Sequence, residues 1–111
     1  MDEFVPEAMV EHVAERFRVL GDATRLSILR LLIPSDELNV GEICEALPGS
    51  SQANISKHLR TLHGAGILSR RKEATAAYYR IADPSITQLC DIVCERLKDQ
   101  AAEDARTFAV G

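Results

Sequence analysis

A mainly α-helical domain with one small β-hairpin, in the order α-α-α-α-β-β-α, is the fold class this sequence predicts. Apolar residues recur at helical spacing in five separate stretches. Two strand-like runs, 67–72 and 77–81, stand together directly after Gly64-Ala65-Gly66. The 111 residues suffice for one domain with a modest core, so residues 1–111 are expected to form a single unit.

Residues 1–7 are expected to be irregular. Between 8 and 20, Met9, Val13, Phe17 and Leu20 fall on one stripe with Val10 and Ala14 beside it, and Gly21 closes this first helix. Asp22 is placed to N-cap the second helix. Its Leu26, Ile28, Leu29, Leu32 and Ile33 leave it apolar on most sides, a core helix that Pro34 stops. Residues 35–38 form a short connection or a brief extended segment. Asn39 caps a third helix with Glu42 at capping-box spacing, and Val40, Ile43, Cys44 and Leu47 form its inner stripe.

Leu47-Pro48-Gly49-Ser50 is a turn, because proline cannot continue the helix and glycine permits the reversal. Ser51 caps the fourth helix, whose Ile55, Leu59 and Leu62 share one face. Its other face carries Gln52, Asn54, Ser56, Lys57 and Arg60. Such amides and hydroxyls bond base edges or phosphates, and such cations neutralise phosphates. Residues 39–65 thus read as a helix-turn-helix, and 67–81 as a wing bearing Arg70, Arg71 and Lys72. The tip, Glu73-Ala74-Thr75-Ala76, lacks the Gly or Asn of tight hairpin turns, which predicts a longer or irregular loop. Asp83-Pro84 opens the last helix, 84–104, lined on one face by Ile86, Leu89, Cys90, Val93, Cys94, Leu97 and Ala101. Beyond Asp104 no clear pattern remains.

The net charge of −4 argues at first against a nucleic-acid partner. Its distribution reverses that. From 50 to 80, Lys57, Arg60, Arg70, Arg71, Lys72 and Arg80 face only Glu73, a net of +5, so the rest of the chain carries −9. An acidic body with one basic surface is drawn to DNA through that surface. No run approaches a membrane span and the first residues are acidic, so a cytoplasmic protein with no membrane partner is expected. Three cysteines do not make a disulfide framework. His12, His58 and His63 are scattered and read as solvated or hydrogen-bonded structural residues. No carboxylate pair, Ser/His/Asp set or phosphate-cradling glycine loop appears, so no enzyme is expected.

With these elements in place the sequence resembles the ArsR/SmtB family of dimeric winged-helix repressors. The resemblance rests on the run from Phe17 through Gly21-Asp22-Ala23-Thr24-Arg25-Leu26 to Leu29, on Asn54-Ile55-Ser56-Lys57-His58-Leu59 within 51–62, on Gly64-Ala65-Gly66-Ile67-Leu68, and on Tyr78-Tyr79-Arg80-Ile81. It implies a homodimer built from helices 8–20 and 84–104. Each subunit would place its fourth helix in a major groove of operator DNA, with the wing on adjacent backbone or minor groove. It also implies release by an inducer, often a soft metal ion. Two metal-ligand sets known in the family are not reproduced here. Asn39 and Gly41 stand at two cysteine positions, with Cys44 matching a third. Of the last-helix set only Asp83 matches, while Ser85, Arg96 and Asp99 occupy the other places.

Cys90 and Cys94, four apart, share a helix face. Thiolates are soft ligands for As(III), Cd, Zn or Cu(I) and react with persulfides, although free cysteine also packs as a small hydrophobe. Cys44 reads as core packing and becomes a third ligand only if the last helix reaches it. The function expected is a homodimeric repressor with no required cofactor. It would contact DNA through Ser51, Gln52, Asn54, Ser56, Lys57, Arg60, Arg70, Arg71 and Lys72, and leave it when a thiol-reactive inducer engages the last-helix cysteines. The alternatives are a constitutive DNA-binding regulator without a ligand and a thiol-based metal-buffering protein.

Overall fold

The computed structural model describes residues 4–110, with side chains through Thr107. Residues 1–3 of the stretch expected to be irregular lie outside it. After a single 3-10 turn at Glu7–Met9 come helices α1 (Val10–Leu20) and α2 (Ala23–Leu32). A two-residue strand β1 (Leu38–Asn39) leads into α3 (Val40–Ala46) and α4 (Gln52–Gly64). The wing strands are β2 (Leu68–Glu73) and β3 (Ala76–Ile81), and α5 (Pro84–Val110) closes the chain.

Each start signal in the helical half acts as its chemistry requires. Asp22 Oδ1 accepts the Arg25 N–H at 3.0 Å. Asn39 and Glu42 form a reciprocal capping box at 2.8 and 2.9 Å. Ser51 Oγ accepts the Asn54 N–H at 3.1 Å. Such a cap is worth about 1 kcal/mol. Helix α4 ends in a Schellman arrangement: Ile67 N–H donates to Leu62 O, Gly66 N–H donates to His63 O, and Gly66 takes a φ of 78° that favours glycine. The core gathers Ile28, Leu29 and Leu32 of α2, Ile43 of α3, and Ile55, Leu59 and Leu62 of α4. Ile67, Leu68 and Tyr79 close it from the hairpin, and Ile86 from α5.

Three features differ from the sequence reading. The sheet has three strands in the order β1-β3-β2, because Leu38 and Asn39 pair antiparallel with Tyr79 and Tyr78. The wing tip is tight: Glu73 pairs with Ala76, leaving a two-residue loop in which Ala74 adopts a φ of 56°. An L-residue there carries roughly 1 kcal/mol of backbone strain that glycine would not. Finally, α5 continues past Asp104 to Val110. Ala101, Ala102, Ala105, Glu103 and Arg106 are mostly strong helix formers and sustain it without a packed stripe.

The aspartate caps make folding sensitive to acid. The Arg25 N–H holds the Asp22 carboxyl below its ordinary value, and the hydroxyl and N–H of Ser85 do the same for Asp83. A lowered folded value contributes stability that is fully present above the unfolded aspartate value of 3.8 and is lost as pH falls through the folded one. Asp22→Asn keeps a capping oxygen but cannot titrate. Its melting temperature is therefore expected to fall less steeply than the parent's below about pH 4, in melts run at successive acid pH values. Parallel curves for the two proteins would remove Asp22 from the acid response.

Candidate nucleic-acid interface

The fourth helix is held by its apolar face and leaves the opposite face open. Ile55, Leu59 and Leu62 are fully buried, while Ser51, Gln52, Lys57 and Arg60 are exposed and Asn54 and Ser56 half-exposed. The Ser51 hydroxyl is committed to its cap. Gln52, Asn54 and Ser56 have no side-chain partner among the described residues, and neither have the charged groups of Lys57 and Arg60. Turn Leu47–Ser50, closed by the Ser50 N–H on Leu47 O at 3.1 Å, joins α3 to α4 as a helix-turn-helix.

The three wing cations are not equivalent. Arg70 and Lys72 are exposed and their charged groups make no ion pair among the described residues. Arg71 is engaged. Its Nη2 meets Glu37 Oε1 at 2.5 Å, its Nη1 meets Glu73 Oε2 at 2.7 Å, and its guanidinium lies 4.5 Å from the ring centroid of Tyr78, its cross-strand partner. Hydrogen bonds from Arg71 hold the Glu37 carboxyl below its ordinary value, and the two carboxylates raise the arginine's in turn. A phosphate approaching Arg71 would meet a charge already matched by two carboxylates. The residue thus braces the wing against the segment before β1, and the phosphate contact that the sequence reading expects of Arg71 would compete with Glu37 and Glu73. Arg80, exposed on β3, adds its charge to that of Arg71 beside Glu37. The charge count from 50 to 80 already included it.

His58, in the middle of the polar run, is 7% exposed and faces inward. Arg25 Nη1 lies 3.2 Å from its Nδ1, the structural role expected of it.

Elsewhere on the domain, α1 and α5 border an apolar groove of about 570 Å³ lined by Phe17, Leu20, Leu26, Leu89, Val93 and Leu97. Phe17 (56%) and Leu97 (58%) stay exposed, as do Leu26, Ile92 and Val93. Cys90 and Cys94 line the same groove, half-buried and exposed respectively. Burial, together with the neighbouring Asp91 carboxylate, pushes the Cys90 thiol up. Cys44 packs partly buried against the core. No three His, Cys, Asp or Glu side chains gather into a metal-binding group among the described residues, so Cys44 does not join the other two thiols within one chain. No helix among the described residues is long and apolar enough to cross a membrane.

A model described as a helix-turn-helix domain matches residues 20–71. An HTH-type transcriptional regulator of Methanocaldococcus jannaschii is 40% identical over 85 residues, covering 77% of this chain and 94% of that protein. The arsenical resistance operon repressor of Escherichia coli K12 is 38% identical over 90 residues, covering 77% of this chain and 76% of the repressor. This chain belongs to the ArsR/SmtB family. As an ArsR/SmtB protein it is a DNA-binding winged helix-turn-helix regulator. The solution structure of a homodimeric winged helix-turn-helix DNA-binding domain from Mycobacterium bovis, a possible ArsR-family regulator, matches it with a TM-score of 0.72 at 30% identity, over 89% of this chain and 92% of that one.

Proposed function

We propose that the protein is a cytoplasmic homodimeric repressor that reads operator DNA through α4 and is released by a thiophilic inducer at Cys90 and Cys94. The single observation that carries this reading is the division of the molecule into two unlike faces. One is a polar and cationic face on α4 and the wing; the other is the apolar groove on α1 and α5 that holds two thiols. Gln52, Asn54 and Ser56 take base edges or phosphates with the cap residue Ser51 beside them. Lys57, Arg60, Arg70 and Lys72 neutralise backbone. A second copy seated on the α1–α5 face would pair two reading helices for two half-sites. Resemblance to an arsenical resistance repressor and to a homodimeric domain supports both parts.

Two thiols per chain are too few for a closed four-ligand zinc site, but a twofold axis along α5 would offer four. As(III), Cd, Zn, Cu(I) and persulfides all suit such thiols. Metal binding must displace the thiol protons; the raised Cys90 value makes that displacement harder near neutral pH, so binding is expected to strengthen as pH rises. The test uses a duplex selected by the parent from a random-sequence pool, challenged with arsenite, Cd(II) and a polysulfide. The parent is expected to lose about a hundredfold in DNA affinity to at least one of them, a coupling of about 2.7 kcal/mol. The Cys90→Ser, Cys94→Ser double variant should bind the duplex equally well and stay bound. Equal release of variant and parent would reduce the pair to packing. Release of neither would favour a constitutive regulator.

A further inference from the structure

Two arginines tie the helix on the groove side to the helix that reads DNA, at two separate points. Arg16 of α1 donates from Nη2 to the carbonyl of Ala65, the C-cap of α4, at 3.1 Å, and from Nη1 to Asp83 Oδ2 at 3.1 Å. Arg25 of α2 donates from Nε to the Val19 carbonyl near the end of α1 at 2.6 Å and places Nη1 3.2 Å from Nδ1 of His58 on α4. A guanidinium only donates. The Nδ1 of His58 must therefore accept, and the ring proton resides on Nε2, which lies 3.9 Å from Asp22 Oδ1. His58 is the one buried polar side chain among the described residues.

Ile55, Leu59 and Leu62 fix which face of α4 meets the core, but apolar contacts are non-directional and specify the fine angle about the helix axis less tightly. A hydrogen bond weakens steeply with misalignment and so fixes that angle. On one side His58 is followed by Leu59, and on the other it is preceded by Lys57 of the DNA-facing surface. A small turn of α4 about its axis would move Gln52, Asn54 and Lys57 together.

We propose that Arg25 and His58 are a positioning pair that sets the rotation of α4 against α1, and with it the register of the base-facing side chains. The proposal rests on α4 being the DNA-reading helix. Neither residue touches DNA in it; both act through the angle of α4. The pair also lies beside the groove, since Leu20, Gly21 and Leu26 line the groove while Val19 and Arg25 form the contact. A change in the packing of α1 would reach the reading helix by this route.

Two measurements test the pair. In the full-length protein labelled with 15N-histidine, the long-range 1H–15N spectrum is expected to show the His58 ring proton on Nε2 and Nδ1 as the acceptor. A proton on Nδ1, or on both nitrogens, would overturn the proposal whatever any variant does. The second measurement compares affinity for a duplex selected by the parent from a random pool with affinity for a scrambled duplex of equal length. His58→Leu fills the buried space without an acceptor and is expected to lower the selected-to-scrambled ratio at least tenfold while binding the scrambled duplex like the parent. His58→Gln retains an acceptor oxygen and should recover most of the ratio. Arg25→Met, which removes the donors and keeps the stem, should reproduce the loss if His58→Leu does not fold. An unchanged ratio in a folded acceptor-less or donor-less variant would overturn the pair. A parent that selects no duplex would instead defeat the reading of α4, leaving the tautomer to decide the contact itself.

Discussion

Replacing Val93 and Leu97 together by Asp is expected to leave the chain folded but monomeric, and to lower its affinity for a selected duplex by about a hundredfold or more. Both side chains line the α1–α5 groove and remain exposed in the single chain, so the substitution does not touch the chain's own core. In the proposed dimer they join Phe17, Leu26 and Ile92 against the second copy. Full burial of each such side chain contributes about 1.5–3 kcal/mol. Two carboxylates per subunit buried there without partners would each cost several kcal/mol instead. Loss of the dimer also separates the reading helices, so the second half-site no longer binds as an intramolecular event. Sedimentation at micromolar concentration should show the parent as a dimer and the variant as a monomer with unchanged helical content. A dimeric variant with parental DNA affinity would move the interface elsewhere.

Raising salt is expected to weaken DNA binding steeply. Lys57, Arg60, Arg70 and Lys72 of two subunits make eight cations with no ion pair among the described residues. If all of them meet phosphates, log affinity should fall with log salt with a slope of about −7, roughly a 10⁴-fold loss from 50 to 200 mM. Lys72→Ala should make the slope about two units shallower in the dimer. Arg71→Ala should barely change it, because Glu37 and Glu73 already match that charge. A larger slope change for Arg71→Ala than for Lys72→Ala would show that DNA displaces the carboxylates and that the brace opens on binding.

That contrast within one basic run marks where the sequence stopped being legible. Arg70, Arg71 and Lys72 are indistinguishable as a charge count. Only the fold brings Glu37, 34 positions away, against the middle one. The helical half was readable because its signals are local: Asp22, Asn39 and Ser51 each cap the helix that follows them, and the Ile55-Leu59-Leu62 stripe declares its buried face. Strand β1 was readable only as a brief extended segment at 35–38, since two residues carry no periodicity and their pairing comes through Tyr78 and Tyr79. The tip misled for a related reason: pairing of Glu73 with Ala76 imposes a tight loop, and Ala74 accepts a positive φ that composition alone argues against. The open polar face of α4 was legible from one helical period. The groove that gathers the two thiols with Phe17 and Leu26 was only half visible, as separate stripes on α1 and α5.

The most direct measurement of the central claim is protection of a selected duplex against hydroxyl-radical cleavage, combined with the number of chains bound per duplex. Two chains should bind one duplex and protect two half-sites centred roughly 34 Å apart, one helical turn or a multiple of it. Gln52→Ala should alter the sequence selected at both half-sites while leaving the backbone protection in place. A single protected site, one bound chain, or protection indifferent to sequence and to Gln52 would contradict paired reading of DNA by α4.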